Sequence, residues 1–123
     1  MASVKTKYYY NGKLVRTSAH EYTHAVLNDQ GDCVACRGSY DKALAVKMQY
    51  VNELRRNATH NRKCAEAKRA GKRTMIVKNG RGRSYPVTLD QTPEVYEISA
   101  AHDEAYADKI MEKWQVVALS KEQ

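Results

Sequence analysis

The string His20-Glu21-Tyr22-Thr23-His24 carries the most specific chemistry in the chain. Histidines four residues apart on a helix share a face and can hold a zinc ion. A glutamate beside the first can then polarise the water that attacks a peptide carbonyl. A second string, Cys33-Val34-Ala35-Cys36 before Arg37-Gly38, has the spacing of half a zinc knuckle, and His60 with Cys64 offers two more ligands. Distance opposes that quartet: a helix over residues 40–55 rises about 1.5 Å per residue and sets His60 roughly 25 Å from the cysteines. Alternation along a strand also turns Cys33 away from Cys36. An odd count of three cysteines fits reduced, buried thiols better than a disulfide framework.

The third group is basic. Residues 55–83 hold eleven lysines and arginines and one acid, Glu66, for a net +10. Residues 1–54 net +2 and residues 84–123 net −5, so the chain is electrically polarised. Arg55, Arg56, Arg62, Lys63, Lys68 and Arg69 fall on one helical stretch, followed by Lys72-Arg73 and the tip Asn79-Gly80-Arg81-Gly82-Arg83. Arg81 and Arg83 can pair bidentately with phosphate or carboxylate, and the glycines admit a close partner. Each phosphate neutralised releases counterions, so such a cluster suits a polyanion. The competing reading is a solvated helix face whose charges pair with the acidic C-terminal third. Tyr85 is the nearest aromatic, which favours backbone contact over base stacking.

The segment SAHEYTHAV resembles the zinc helix of the thermolysin-like metallopeptidases, the gluzincins, and Asn52-Glu53 resembles the start of that family's downstream motif. The resemblance implies zinc held by His20, His24 and Glu53, with Glu21 as general base. The chain departs from the family where Arg56 stands in place of an acid expected three residues after the third ligand. Tyr22, Thr23 and Val26 also favour a strand, on which His20, Tyr22, His24 and Val26 share a face. The reading adopted has no catalytic residue and no cofactor; a small zinc metallopeptidase is the alternative. Across the first fifty residues, YYYNGKLVRTS, YTHAV and ACRGSYDKALAVK resemble small uncharacterised proteins encoded by bacteriophages. That resemblance implies an inhibitor of host machinery, anti-CRISPR proteins among them, that occupies a nucleic-acid or protein surface.

The elements that must position these groups are legible from local signals. Asn11-Gly12 predicts a type I′ turn between strands ending at Tyr10 and starting at Lys13. A second hairpin pairs Glu21–Leu27 with Cys33–Cys36 across Asn28–Asp32. Ser39 can cap a helix on which Ala43, Leu44, Val46, Met48, Val51, Leu54 and Ala58 recur at helical spacing. That helix continues to Ala70 or restarts near Asn57-Ala58-Thr59, and Gly71 ends it. Thr74–Val77 and Ser84–Leu89 flank the basic tip as a third hairpin, with Pro86 suited to an edge. Thr92-Pro93-Glu94 starts a helix whose face is Val95, Ile98, Tyr106, Ile110, Trp114 and Val117, although Glu94–Ser99 could form a short strand.

At 123 residues and 42% apolar, the chain fits a single α+β domain over residues 1–123, with a hairpin-built antiparallel sheet against a long basic helix and a C-terminal amphipathic helix. Collagen, coiled coil and a membrane span are excluded. The start MASVKTKYYYNG lacks the apolar run of a secretory signal, so a cytoplasmic protein is expected, in the host cytoplasm if phage-encoded. The expected partner is nucleic acid or a host nucleoprotein complex, with no membrane; oligomeric state stays open.

Overall fold

The computed structural model describes residues Val4 to Lys121. The fold is α+β. In chain order it contains β1 (Thr6–Tyr10), β2 (Lys13–Ser18), β3 (His24–Leu27), β4 (Cys33–Arg37), α1 (Tyr40–Arg69), β5 (Thr74–Lys78), β6 (Ser84–Thr88), α2 (Pro93–Lys113), β7 (Gln115–Ala118) and β8 (Ser120–Lys121). The chain forms two compact units: residues up to Asn52 together with those from Asp108 onward, and residues Glu53–Ala107.

In the first unit, Asn11 and Gly12 adopt φ of 50° and 77°, the pair of positive values that a type I′ turn demands. The two hairpins do not merge into one sheet. Each heads its own three-stranded antiparallel sheet, in orders β2-β1-β8 and β4-β3-β7, and the end of the chain supplies the third strand of both. The sequence predicts a C-terminal helix carrying Trp114 and Val117 on its face, but the helix stops at Lys113 and Gln115–Ala118 pairs along β3. Ala25, Val26 and Leu27 of β3 are all buried, so that strand needs a neighbour on each edge to pair its backbone groups away from water. The Lys47 ammonium secures the helix end by donating to the carbonyls of Met111 and Trp114 at 3.1 and 3.0 Å. Ala25, Leu27, Cys36 and Val117 form the core there, with Tyr10, Val15, Tyr22 and Leu119 against it.

Ser39 caps α1 as its type predicts, its Oγ accepting from the Lys42 amide at 3.1 Å. The helix then runs unbroken. Thr59 satisfies its hydroxyl within the helix by donating to the Arg55 carbonyl at 3.1 Å, so it does not open a fresh cap. At the far end the Gly71 and Lys72 amides donate to the carbonyls of Lys68 and Ala67, a Schellman closure.

In the second unit β5 and β6 form a two-stranded hairpin, registered from Thr74 opposite Thr88 to Lys78 opposite Ser84. Pro86 sits where, among the described residues, no third strand needs its missing donor. Thr92 caps α2, its Oγ1 accepting from the Val95 amide at 3.3 Å. Cys64, Ala67 and Leu89 are the core, with Met75 and Tyr96 packed against them. The expected apolar face divides: Val95, Ile98 and Tyr106 are 41%, 69% and 44% exposed, whereas Ile110, Trp114 and Val117 are buried, as are Ala100 and Ala107 of α2. The buried row of α1 is likewise alanine-rich, with Ala43, Val51, Ala58 and Ala65.

Candidate nucleic-acid interface

Arg55, Arg56, Arg62, Lys63, Arg69, Lys72, Arg73, Arg81 and Arg83 all lie in the second unit. The helical period splits those on α1 into two rows, because residues seven apart nearly superimpose along the axis. One row is Arg55, Arg62 and Arg69. Two of its members engage acids of α2: Arg62 forms a two-pronged pair with Glu104, its Nη2 donating to Oε2 at 2.7 Å, and Arg69 pairs with Glu97. Hydrogen bonding from Arg62 and Arg69 holds the Glu104 and Glu97 carboxyls below their ordinary range, and the acids raise both guanidiniums in return. All four side chains remain about half exposed, so the pairs are surface pairs.

The other row, Arg56 and Lys63, borders two hollows beside β5. One of about 440 Å³ is lined by Arg56, Thr59, His60, Lys63, Lys78 and the strand residues between Met75 and Val77. A second, of about 390 Å³, is lined by Lys63, Glu66, Ala67, Ala70, Lys72 and Met75. Lys63 and Met75 line both hollows, whose borders carry Arg56, Lys63, Lys72 and Lys78 together with the acid Glu66. Arg56, Lys63, Lys72 and Lys78 have no acidic partner among the described residues, and neither do Arg73, Arg81 and Arg83. Lys68 turns elsewhere, donating to the Leu89 carbonyl at 2.9 Å. Lys78, Met75 and Ile76 line this surface beyond the residues the sequence singles out. The alternation Thr74-Met75-Ile76-Val77-Lys78 carried a signal, since Met75 and Val77 share a half-buried face while Ile76 is 67% exposed.

The histidine string takes a different form from a zinc helix. Residues 19–23 are not helical, and β3 begins only at His24. The buried Tyr8 pegs this connector: its hydroxyl donates to the His20 carbonyl at 2.8 Å and accepts from the Tyr22 amide at 3.1 Å. The Thr23 amide donates to the Arg37 carbonyl, and the Thr23 carbonyl accepts from the Leu119 amide. Those backbone groups serve the sheet, so the helical face that would align His20 with His24 does not form. His24 Nδ1 instead lies 2.7 Å from Thr23 Oγ1, with its ring edge-on to Tyr40. His20 and Glu21 are exposed, and Glu53 is exposed on α1.

The cysteines depart from expectation in one respect. The Cys33 and Cys36 sulfurs are 3.6 Å apart, and Cys33 is exposed. Register explains it: Ala35 opposes Val26 and Cys33 opposes Leu27, so Val34 is an extra residue and the alternation slips by one. Cys36 lies opposite Ala25. Cys64 is buried beside His60, Sγ to Nε2 3.5 Å, and burial pushes its thiol up. No helix among the described residues is long and apolar enough to cross a membrane. Compared with known protein families, curated proteins and solved structures, the chain matches none of them.

Proposed function

We propose that this is a non-catalytic binding protein whose second unit contacts the phosphate backbone of nucleic acid, free or within a host nucleoprotein. The observation that carries the reading is the division of the basic residues into two sets. Arg62 and Arg69 spend their charge on Glu104 and Glu97, while Arg56, Lys63, Lys72 and Lys78 rim the two hollows and Arg81 and Arg83 crown the adjoining hairpin without acidic partners among the described residues. Unpaired cations gain affinity by releasing counterions from a polyanion. The rim supplies lysines and arginines but no stacking platform, which matches backbone contact better than base reading. A host target such as a defence complex, met in the cytoplasm, belongs to this proposal and rests only on the resemblance of the opening residues to small phage-encoded proteins.

A salt series of gel shifts with duplex and single-stranded probes tests it. Log affinity should fall linearly with log salt, with a slope of about −0.9 per duplex phosphate contacted. Arg56→Ala with Lys63→Ala should flatten that slope by about two contacts and alter sequence preference little. Absence of binding to free DNA or RNA, with a protein captured from nuclease-treated lysate, overturns the reading in favour of an acidic protein surface.

A further inference from the structure

Cysteines three apart on a regular strand point to opposite faces and cannot meet. On β4 they meet because Val34 bulges out of register, which swings the Cys33 sulfur to 3.6 Å from that of Cys36. The two thiols are unlike. Cys36 is fully buried in the core with Ala25, Leu27 and Val117, whereas Cys33 is exposed at the bulge. Closing the gap to a disulfide of about 2.05 Å asks for a movement on the order of 1.5 Å, which a bulge can absorb more readily than a paired strand. An outer sulfur that reagents can reach, backed by an inner one that they cannot, is the arrangement that resolves a mixed disulfide within the molecule.

We propose that Cys33 and Cys36 form a reversible disulfide site, oxidised by low-molecular-weight disulfides of the glutathione type. The Cys33 thiolate attacks one sulfur of the small disulfide, forming a mixed disulfide and expelling a thiolate that takes up the proton Cys33 lost. Cys36, as its thiolate, then attacks the Cys33 sulfur. The mixed bond breaks, the Cys33–Cys36 bond forms, and the second small thiolate leaves with the Cys36 proton. Two electrons pass from the protein to one small disulfide, giving two small thiols. Reduction by a dithiol runs the same steps backwards. The link would clamp the Val34 bulge and hold β4 in its shifted register.

The resting state is the dithiol. Although Cys33 is exposed as a residue, its thiol is partly buried beside that of Cys36, 3.6 Å away. That partial burial, with the hydrogen bond the two sulfurs share, pushes its thiol up to about 11, with the Arg16 guanidinium pulling the other way. Few Cys33 thiolates are therefore present near neutrality, and exchange needs a standing supply of disulfide. Cys64 takes no part: it is buried in the second unit beside His60.

The test uses the full chain, purified in reductant and then exchanged into oxidised glutathione. Thiol titration in denaturant should fall from three per chain to one, and mass spectrometry should show loss of two hydrogens within the peptide holding Cys33 and Cys36. Dithiothreitol should restore all three. In Cys36→Ser the reaction should halt at a stable glutathione adduct on Cys33. Because Cys36 is a core residue, Cys33→Ser provides a second variant at an exposed position, and it should retain both remaining thiols. The proposal is overturned if the wild type keeps three thiols, if it accumulates the Cys33 adduct without closing the ring, or if Cys33→Ser still loses a pair of thiols.

Discussion

The loops Asn28–Asp32 and Asn79–Arg83 join different hairpins in different units, and they are built alike. In each, the asparagine Oδ1 accepts two amides: from Gln30 and Asp32 at 3.0 and 2.9 Å in one, and from Arg81 and Arg83 at 2.9 and 3.1 Å in the other. In each, the asparagine amide donates to the carbonyl four residues on, and the glycine three residues on donates back to the asparagine carbonyl. Those glycines, Gly31 and Gly82, sit at φ of 81° and 79°. Two residues thus set the backbone and three positions remain free. The first loop fills them with Asp29, Gln30 and Asp32, and the second with Gly80, Arg81 and Arg83. Asp29 is tied to Lys109 at 3.1 Å within its own unit, whereas the two arginines have no acidic partner among the described residues. One scaffold therefore carries a charge that is used internally and a charge that is left on offer.

The largest effect expected from this contrast is on binding. Replacing Arg81 and Arg83 by Ala should weaken nucleic-acid affinity on the order of tenfold per arginine near 0.1 M salt, with the salt slope reduced by about two units. Replacing Asp29 and Asp32 by Ala should leave affinity unchanged or slightly raised. Fluorescence anisotropy on both variants checks this, and equal losses from the two loops would show that fold damage, and not charge, governs binding.

Stability should answer in the opposite, symmetrical way. Asn28→Ala and Asn79→Ala each remove the one oxygen that accepts two amides in its loop, at a cost of about 1 kcal/mol in either. Gly31→Ala and Gly82→Ala add a Cβ that meets nothing within 4 Å at either site, so only the left-handed backbone is strained, again by about 1–2 kcal/mol. Urea melts of the four variants should pair off by residue type and not by loop. A marked cost in one loop alone would break the structural half of the comparison.

What the sequence disclosed follows the same line between local and distant causes. The Asn11-Gly12 turn, the Ser39 and Thr92 caps, the Gly71 stop and the basic hairpin were legible because each is decided within a few residues. The strands β7 and β8 were not, because Val116-Val117 extends a helical pattern unless β3 is known to lack a neighbour. That signal was present in the unbroken run Ala25-Val26-Leu27, which reads as a central strand. The proximity of Cys33 to Cys36 depends on a register shift against β3, which no local motif announces. Within the interface, the identity of the basic residues was plain, but their division was hidden. Whether Arg62 meets Glu104 while Lys63 meets none depends on which side of α1 faces the acids of α2, and no local pattern in the sequence sets that.

The smallest expected effect lies at the acid end of the pH scale and belongs to the first loop alone. Lys109, chiefly through its hydrogen bond, holds the Asp29 carboxyl below the ordinary carboxylate value. A depressed folded-state value means that the folded protein keeps this group ionised more readily than the unfolded chain does. Its contribution is therefore fully present above the unfolded value of about 3.9, and it fades as pH falls through the folded one. Glu97 and Glu104 share that sign through Arg69 and Arg62, so acid sensitivity of the whole protein does not isolate the loop. Asp29→Asn does. Its thermal midpoint should lie slightly below wild type at pH 6, and the gap should close as both are titrated towards pH 2. Arg81→Ala, in the matching loop with no carboxylate of its own, should show a gap that does not vary across the same window. A constant gap for Asp29→Asn would mean that Lys109 does not engage the loop in solution, and that the first loop, like the second, carries its charge free.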